Sequence, residues 1–288
     1  MNAVLKGGLI SIREALSTLK PTERKAAQYI LDYPEQVVKF SVQKLAEVTG
    51  VSEATIVRLS RSTGCKGFQD LKLRIAADLS QNPQNMDSYQ EIQIDGSTED
   101  LITSMSHNNI VSIQDTLTVL SVESVGSAIE LLKNARKICI FGVGASAIIA
   151  EDFKQKLTRI NRWCETGLGF DAQATLAANL VEGDVAFGIS YSGKTEDIIR
   201  SLTIAKESGA EVISLTKFGS NPVAEVADIN LFISSLEKSI RSGAMASRIA
   251  QLNVIDILYV GVASGDYEQS IQALEKTRNA VRIAKRNG

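Results

Sequence analysis

The chain has 288 residues, which is long for a single globular core and typical of two domains. Its 44% hydrophobic and 22% charged residues exclude an intrinsically disordered protein. The formal net charge of -2 argues against a nucleic-acid-binding protein. That average conceals an asymmetry, because residues 1–79 carry 12 Lys and Arg against 8 Asp and Glu, so that this part is basic and the remainder is acidic.

Cysteine, histidine and hydropathy patterns exclude several further classes. The three cysteines, Cys65, Cys139 and Cys164, are too few for a disulfide framework, and with the single His107 they lack the spacing of a Cys/His metal site. The sequence therefore predicts no metal and no cofactor. It contains no uninterrupted apolar run of 18 residues and no apolar region of a signal peptide, so we expect a cytoplasmic protein without a membrane partner.

Residues 1–79 are predicted to form an all-α domain of five short helices. Apolar residues recur at helical spacing from Leu9 onward, and proline, glycine and N-capping serine residues separate one helix from the next. These boundary residues are Pro21, Pro34, Ser41, Gly50, Ser52 and Gly64, and the last helix is expected to begin near Phe68. Residues 80–98 are polar and contain Pro83 and Gly96, so we expect a linker there.

Residues 99–288 are predicted to form a second domain with a parallel sheet. Helical patterns extend from Glu99 to about Leu120 and from Val122 to Asn134. Apolar runs that alternate with helical stretches follow at Lys137–Phe141, Val185–Ile189, Glu211–Leu215 and Ile229–Ile233, with a weaker run at Arg162–Cys164. This alternation predicts right-handed βαβ units, whose ligands bind at the carboxyl ends of the strands. The core of the domain is expected to span about 122–265, including an apolar helix at Ile249–Val262.

Residues 45–58 have the spacing of a helix-turn-helix motif. Ala46 is small where two helices would cross, Gly50 suits the tight turn, and Val51 would fill the space between the helices. The second helix of such a motif presents its first residues to base edges in the major groove. We therefore expect DNA contacts from Ser52, Glu53, Thr55 and Arg58, and phosphate contacts from Arg61, Lys66 and Lys72. The alternative is an ordinary helical hairpin whose cations are solvated.

Two loops that follow predicted strands have the composition of anion-binding loops. In the first, from Gly142 to Ala147, Gly144 lets the backbone approach an anion and Ser146 lies at the start of a helix. This loop also reads G-x-G-x-x-A, with an acid (Glu165) near the next strand end, so a dinucleotide site is an alternative. The second loop has three hydroxyls and a glycine that suit a phosphate monoester. These residues are Ser190, Ser192, Gly193 and Thr195, with Lys194 either adding charge or facing solvent.

The segment from Glu237 to Arg248 follows the last predicted strand. There Glu237 can accept hydrogen bonds from sugar hydroxyls and Arg241 can hold an anion, or the two can be an ordinary surface pair.

Taken together, these motifs resemble the RpiR family of bacterial transcriptional regulators, which join a helix-turn-helix domain to a C-terminal SIS (sugar isomerase) domain. The resemblance covers nearly the whole chain and rests on residues 23–31, 51–58, 67–72, 141–146, 190–195 and 244–252. It implies an all-α head followed by a three-layer α/β domain with a five-stranded parallel sheet. It also implies operator DNA and a phosphorylated sugar as partners, a homodimer or homotetramer formed through the SIS domain, and no catalytic residues.

The same resemblance assigns roles to individual residues. Ser146, Ser190, Ser192 and Thr195 match positions that hold the phosphate in SIS domains, and Glu237 matches less firmly a position that contacts the sugar. The segment at 244–252 is most similar to the branch that senses amino-sugar phosphates such as N-acetylmuramic acid 6-phosphate.

The main alternative is a SIS-domain isomerase or lyase that acts on a sugar phosphate. Such an enzyme needs a general base near the reacting carbon, and Glu237 is the one well-placed candidate in the sequence. His107 is expected in a helix before the sheet, and the N-terminal helices would have no evident use in an enzyme. A dinucleotide-binding regulator is a third interpretation, which the serine-rich loop disfavours.

Overall fold

A computed structural model describes residues 7–16, 18–81, 96–234 and 245–284. The N-terminal part consists of six helices: α1 (Gly8–Ala15), α2 (Pro21–Asp32), α3 (Pro34–Val37), α4 (Val42–Thr49), α5 (Glu53–Ser62) and α6 (Phe68–Gln81). The sequence predicted five, because Pro34 was read only as the end of a helix. It also begins one, since the first position of a helix needs no N–H donor.

The predicted caps of the two central helices are confirmed. The Ser41 and Ser52 hydroxyls accept hydrogen bonds from the backbone N–H groups of Lys44 (3.1 Å) and Thr55 (3.2 Å), respectively. The helices enclose one hydrophobic core, to which every helix of the group contributes. Its fully buried members include Ile12, Ile30, Val37, Leu45, Ile56 and Leu71.

Two helices, α7 (Thr98–Val119) and α8 (Val122–Asn134), precede a five-stranded parallel sheet. The strands are β1 (Ile138–Gly142), β2 (Cys164–Thr166), β3 (Val185–Ser190), β4 (Glu211–Lys217) and β5 (Ile229–Ile233). The helices between and after them are α9 (Ala145–Arg159), α10 (Phe170–Ala178), α11 (Glu196–Glu207), α12 (Pro222–Val226), α13 (Met245–Gly265) and α14 (Tyr267–Ala284). The weakest predicted strand, at Arg162–Cys164, was placed two residues too early, because β2 is a short edge strand with few apolar residues.

The sheet has the strand order β2-β1-β3-β4-β5 and lies between two layers of helices. Buried side chains of α8, α9 and α13 pack on one face, among them Ala128, Phe153 and Val254. Those of α10, α11 and α12 pack on the other, among them Ala177, Leu202 and Val223. The predicted three-layer fold with five parallel strands is confirmed.

The apolar helix predicted near the end of the sheet is α13. Within the residues that the structure describes, it is the one helix whose length and composition would suit a membrane span. Its buried residues Ala250, Val254, Ile255, Leu258 and Val262 belong to the core of the sheet, which is typical of a core helix in a globular domain.

Contacts divide the described residues into two compact units. The first contains the described residues up to Val119 together with Phe218–Ser220 and Ser234, and the second contains the rest. Helix α7 thus groups with the first unit, whereas the sequence placed residues 99–119 with the second domain. Within the first unit, Asp115 of α7 pairs with Arg13 of α1 at 2.7 Å, which links α7 to the N-terminal helices.

Candidate functional site

The turn between α4 and α5 has the geometry of a helix-turn-helix. Gly50 has a φ of 63°, in the left-handed region that glycine tolerates, and ends α4. The Val51 N–H donates to the Ala46 carbonyl at 3.1 Å, which closes the turn, and Ser52 then caps α5. The glycine and the second serine predicted from the sequence therefore have the conformations that the motif requires.

The exposed face at the start of α5 contains three of the four side chains predicted to contact bases. Ser52, Glu53 and Arg58 are exposed. The expectation that Thr55 is exposed is wrong, because only 4% of this residue is accessible. Its hydroxyl lies 2.9 Å from the Ser52 hydroxyl and accepts a hydrogen bond from Arg58 Nη2 at 3.1 Å. Thr55 therefore orients its neighbours on this face.

Sequence reasoning missed a carboxylate that pairs with Arg58. Glu23 of α2 is buried, and its Oε1 lies 3.4 Å from Arg58 Nε. Only 7% of the Glu23 side chain is exposed, against 58% of the Arg58 side chain. The signal in the sequence was an acidic residue in the first turn of an otherwise amphipathic helix, which also suits the helix dipole and so did not stand out.

The basic residues after α5 differ in their environment. Arg61 and Lys66 have exposed side chains, as the prediction of phosphate contacts requires. Lys72 of α6 differs, since its ammonium donates to the Phe40 carbonyl at 2.8 Å and is only half-exposed. This bond ties α6 to the segment before α4, so Lys72 has a structural role that its charge alone did not indicate.

The first predicted anion loop connects β1 to α9. A Cβ at Gly142 would lie 2.5 Å from the Ser146 carbonyl oxygen, so only glycine permits this close approach of strand and helix. Gly144 has a φ of 60°, and Ser146 is buried in the first turn of α9. The helix begins directly at the loop, so its positive end lies where the sequence predicted an anion.

A buried amide behind this loop was not predicted. Gln173 of α10 is fully buried, and its Nε2 donates to the carbonyls of Gly142 (2.8 Å) and Gly167 (3.1 Å). One side chain thus joins the ends of β1 and β2. Because glutamine in a helix is most often a surface residue, the sequence pattern carried no signal for it.

The second predicted anion loop connects β3 to α11. The hydroxyls of Ser190 and Thr195 lie 2.9 Å apart, and the Ser192 hydroxyl accepts from the Lys194 N–H at 3.2 Å. Ser190 is buried, while Ser192 and Lys194 are exposed. The three predicted hydroxyls therefore line one short loop at the start of a helix.

A buried asparagine supports the second loop. Gly193 has a φ of 65°, and a Cβ at this position would overlap Asn221 Oδ1. Asn221 caps α12 by accepting from the Ala224 N–H at 3.0 Å, and its Nδ2 donates to Thr216 Oγ1 at 3.1 Å. The backbone of Gly193 also accepts from the Val223 N–H at 3.0 Å.

Strand order places both loops at the same edge of the sheet. β1 and β3 are hydrogen-bonded neighbours with Gly142 opposite Ile189, and their following connections lead to β2 on one side and β4 on the other. This is the topological switch point, where ligands bind in open α/β sheets. Glu165, the acid of the dinucleotide alternative, lies in β2 opposite Cys139. Glu237 and Arg241 lie outside the described residues.

Two family descriptions match the chain: a helix-turn-helix domain of the rpiR family over residues 6–82 and a SIS domain over residues 131–261. The chain is 45% identical over 279 residues to an uncharacterized HTH-type transcriptional regulator of Caldanaerobacter subterraneus subsp. tengcongensis, with 97% of this chain and 98% of that protein covered. This chain belongs to the rpiR family. It is also 34% identical over 258 residues to the HTH-type transcriptional regulator HexR of Pseudomonas aeruginosa, with 90% of each chain covered.

The rpiR-family assignment accounts for both parts of the molecule. The helix-turn-helix match spans α1 to α6, and the SIS match spans the sheet from β1 to β5 and most of α13. A solved structure of the Vibrio vulnificus NanR protein, complexed with ManNAc-6P, matches with a TM-score of 0.60 and 27% identity, over 95% of this chain and 98% of that one. The protein is thus a helix-turn-helix transcriptional regulator with a SIS domain, as the sequence predicted.

Proposed function

We propose that this rpiR-family regulator binds a phosphorylated sugar at the switch point of its sheet and thereby controls genes of sugar catabolism. The observation that carries the proposal is the loop after β3, where the Ser190, Ser192 and Thr195 hydroxyls surround the start of α11. Hydroxyl and N–H donors with a helix N-terminus suit the three oxygens of a phosphate monoester.

The first loop adds to the same site. Gly144 allows close approach of backbone to ligand, and Ser146 supplies a fourth hydroxyl from the neighbouring strand connection. Gly193 provides the corresponding freedom in the second loop. Glu237 and Arg241 are proposed to contact the sugar and a second anionic group, respectively.

The DNA contacts are proposed for the helix-turn-helix. Ser52, Glu53 and Arg58 would face base edges, with Arg58 suited to guanine. Arg61 and Lys66 would contact phosphates, and Thr55 would act by holding Arg58 in place. We propose a DNA-binding head at residues 1–79, a linker at 80–98 and a sensor core from about 122 to 265, with α7 between linker and core.

We further propose that the protein acts in the cytoplasm as a homodimer or homotetramer formed through the SIS domain. Two heads must then match half-sites about one helical turn of DNA apart, or a multiple of it. Effector binding would order the two loops and change the geometry of the paired heads. The change in DNA affinity is limited by the difference in effector affinity between the two states.

The effector is proposed to be an amino-sugar phosphate. The similarity to NanR, solved with ManNAc-6P, supports this class, and N-acetylmuramic acid 6-phosphate is the member that the segment at 244–252 first indicated. We propose no catalytic activity, because a helix-turn-helix head serves a regulator.

A thermal-shift panel of sugar phosphates, their unphosphorylated sugars and dinucleotides tests the proposal. At 100 times its dissociation constant, an effector adds about 2.7 kcal/mol to the free energy of unfolding. We expect a phosphorylated sugar to stabilise the protein, and neither the unphosphorylated sugars nor the dinucleotides to do so. Stabilisation by a dinucleotide would favour the alternative site, and turnover of any sugar phosphate in the same samples would contradict a purely regulatory role.

A further inference from the structure

We infer that Glu23, a residue outside the helix-turn-helix, sets the base specificity of the protein by fixing the orientation of Arg58. The inference rests on the proposed function, in which Arg58 faces the bases. Glu23 would not touch DNA, and it is therefore a positioning residue.

The first support is that two protein groups hold the same edge of the Arg58 guanidinium. Glu23 Oε1 lies 3.4 Å from Nε, and Thr55 Oγ1 accepts from Nη2 at 3.1 Å. In an arginine the Nε–H and one Nη2–H point to the same side of the planar group. Glu23 and Thr55 therefore restrain Nε and Nη2, the two nitrogens of this edge.

The second support is the set of Arg58 N–H donors that this arrangement leaves available for DNA. Of the five N–H donors, one on Nη2 binds Thr55, and Nε is paired with Glu23 at 3.4 Å, so the two on Nη1 and the second on Nη2 remain. One N–H of Nη1 and the second N–H of Nη2 form the end edge of the guanidinium, which can donate two parallel hydrogen bonds to O6 and N7 of guanine. A side chain fixed in this way loses less rotamer entropy on binding than a free one.

The third support is the difference in burial between the partners. Glu23 is held in the core of the head with 7% of its side chain exposed, whereas 58% of the Arg58 side chain is exposed. A buried carboxylate needs a partner. Because Glu23 is itself held by the surrounding helices, it restrains the exposed Arg58 side chain. The hydroxyl pair of Ser52 and Thr55, 2.9 Å apart, fixes the other anchor at the cap of α5.

The test is a double-mutant cycle in the full-length chain. Wild-type protein first selects a preferred duplex from a library with a randomised segment, and affinities are then measured for this duplex and for every single-base-pair variant. The substitutions are Glu23→Gln, Arg58→Ala and the pair. Glu35→Gln serves as the matched control, because it removes one exposed carboxylate from α3 of the same head.

We expect Glu23→Gln to reduce discrimination about tenfold at the one base pair that Arg58→Ala also affects, which is within the range for a bidentate contact. Its affinity for random duplex should match that of Glu35→Gln. In the Arg58→Ala background, Glu23→Gln should have no further effect on discrimination. Thr55→Val should also reduce discrimination at the same base pair. If Glu23→Gln strongly lowers the unfolding midpoint, Glu23→Asp serves as a second variant of the same residue.

Three results would overturn the inference. One is an equal effect of Glu23→Gln in the wild-type and Arg58→Ala backgrounds. Another is a loss of discrimination spread over many base pairs. The third is a gain in affinity for all duplexes beyond that of Glu35→Gln, because Glu23 would then restrain Arg58 from DNA. If the wild-type protein selects no sequence at all, the proposed function fails instead, so the two failures are distinguishable.

Discussion

The Ser190 hydroxyl lies 2.9 Å from the Thr195 hydroxyl, so that the last residue of β3 and the cap position of α11 are joined across the loop between them. The contact closes a loop of four intervening residues that contains Ser192 and Gly193. It holds two hydroxyls in place at the start of a helix, and such preorganisation would lower the entropic cost of binding the proposed phosphate.

Removal of a hydroxyl from this loop should weaken effector binding. Ser192→Ala deletes an exposed hydroxyl, so the protein without ligand should keep its unfolding midpoint. The loss of one charge-assisted hydrogen bond, about 1.5–3 kcal/mol, should raise the dissociation constant for the sugar phosphate by roughly 10- to 150-fold. Isothermal titration measures this. Ser208→Ala, at the opposite end of α11, should bind as wild type does. Unchanged binding by both Ser192→Ala and Ser190→Ala would contradict the assignment of the loop.

Gly193→Ala should damage the same loop through the backbone. The φ of 65° disfavours any side chain, and the new Cβ would overlap Asn221 Oδ1. We expect the free energy of unfolding to fall by about 1–3 kcal/mol and the effector-induced stabilisation to disappear. Chemical denaturation with and without sugar phosphate measures both. Gly183→Ala is the control, because its φ is also positive but the new Cβ would meet open space, and the effector response should survive.

Gln173→Leu should show whether the buried amide supports the first loop. The substitution replaces the amide with an apolar side chain of comparable size and leaves the Gly142 and Gly167 carbonyls without their donor, at a cost of about 1–3 kcal/mol. We expect lower stability together with weaker effector binding. Gln272→Leu, on the exposed face of α14, should change neither. A loss of stability with unchanged effector affinity would show that Gln173 supports only the fold.

The basic residues of the head should separate in their salt dependence. Arg61→Ala and Lys66→Ala should each reduce the slope of log affinity against log salt concentration by about one, because each removes a phosphate contact. Lys72→Met should leave the slope almost unchanged and lower stability instead, since its ammonium binds the Phe40 carbonyl. If wild type and the three variants all had the same slope, Arg61 and Lys66 would not contact DNA phosphates.

A carboxylate of α6 should give the head a pH-dependent stability. Asp78 accepts hydrogen bonds from the N–H groups of Gly7 (2.7 Å) and Leu9 (2.9 Å), and burial raises its pKa above the ordinary value for aspartate. Ionisation therefore costs more in the folded than in the unfolded state. The stability of wild type relative to Asp78→Asn should fall as the pH rises from the ordinary pKa through the raised one, and then level off. If the stability of wild type relative to Asp78→Asn instead rises over that pH range, the prediction is contradicted.

The sequence predicted the architecture well because its strongest signals are local. The N-capping serines, Gly50 and the apolar runs of β1, β3, β4 and β5 each report a single short segment. The hydroxyl-rich loop after β3 could be identified equally well, since Ser190, Ser192 and Thr195 are close together in the chain. The sequence also indicated the opposite charges of the two parts.

The residues that sequence reasoning missed act across long separations. Glu23 meets Arg58 from another helix, Gln173 reaches back to Gly142, and Asn221 fits against Gly193. Thr55 was misjudged because an N-terminal helix position does not reveal which way its side chain points. Such contacts depend on how helices pack, and one sequence without structure does not report this.

The central claim is that one chain couples sugar-phosphate binding to DNA binding. The most direct measurement is the affinity of the full-length protein for its selected duplex, titrated at constant ionic strength with ManNAc-6P, other amino-sugar phosphates and the same sugars without phosphate. We predict that a phosphorylated sugar changes the dissociation constant about 5- to 150-fold, the usual range for coupled sites, and that Ser190→Ala abolishes the response. If a sugar phosphate binds the protein to saturation, as judged by thermal shift, and the DNA affinity nevertheless stays unchanged, the account is contradicted.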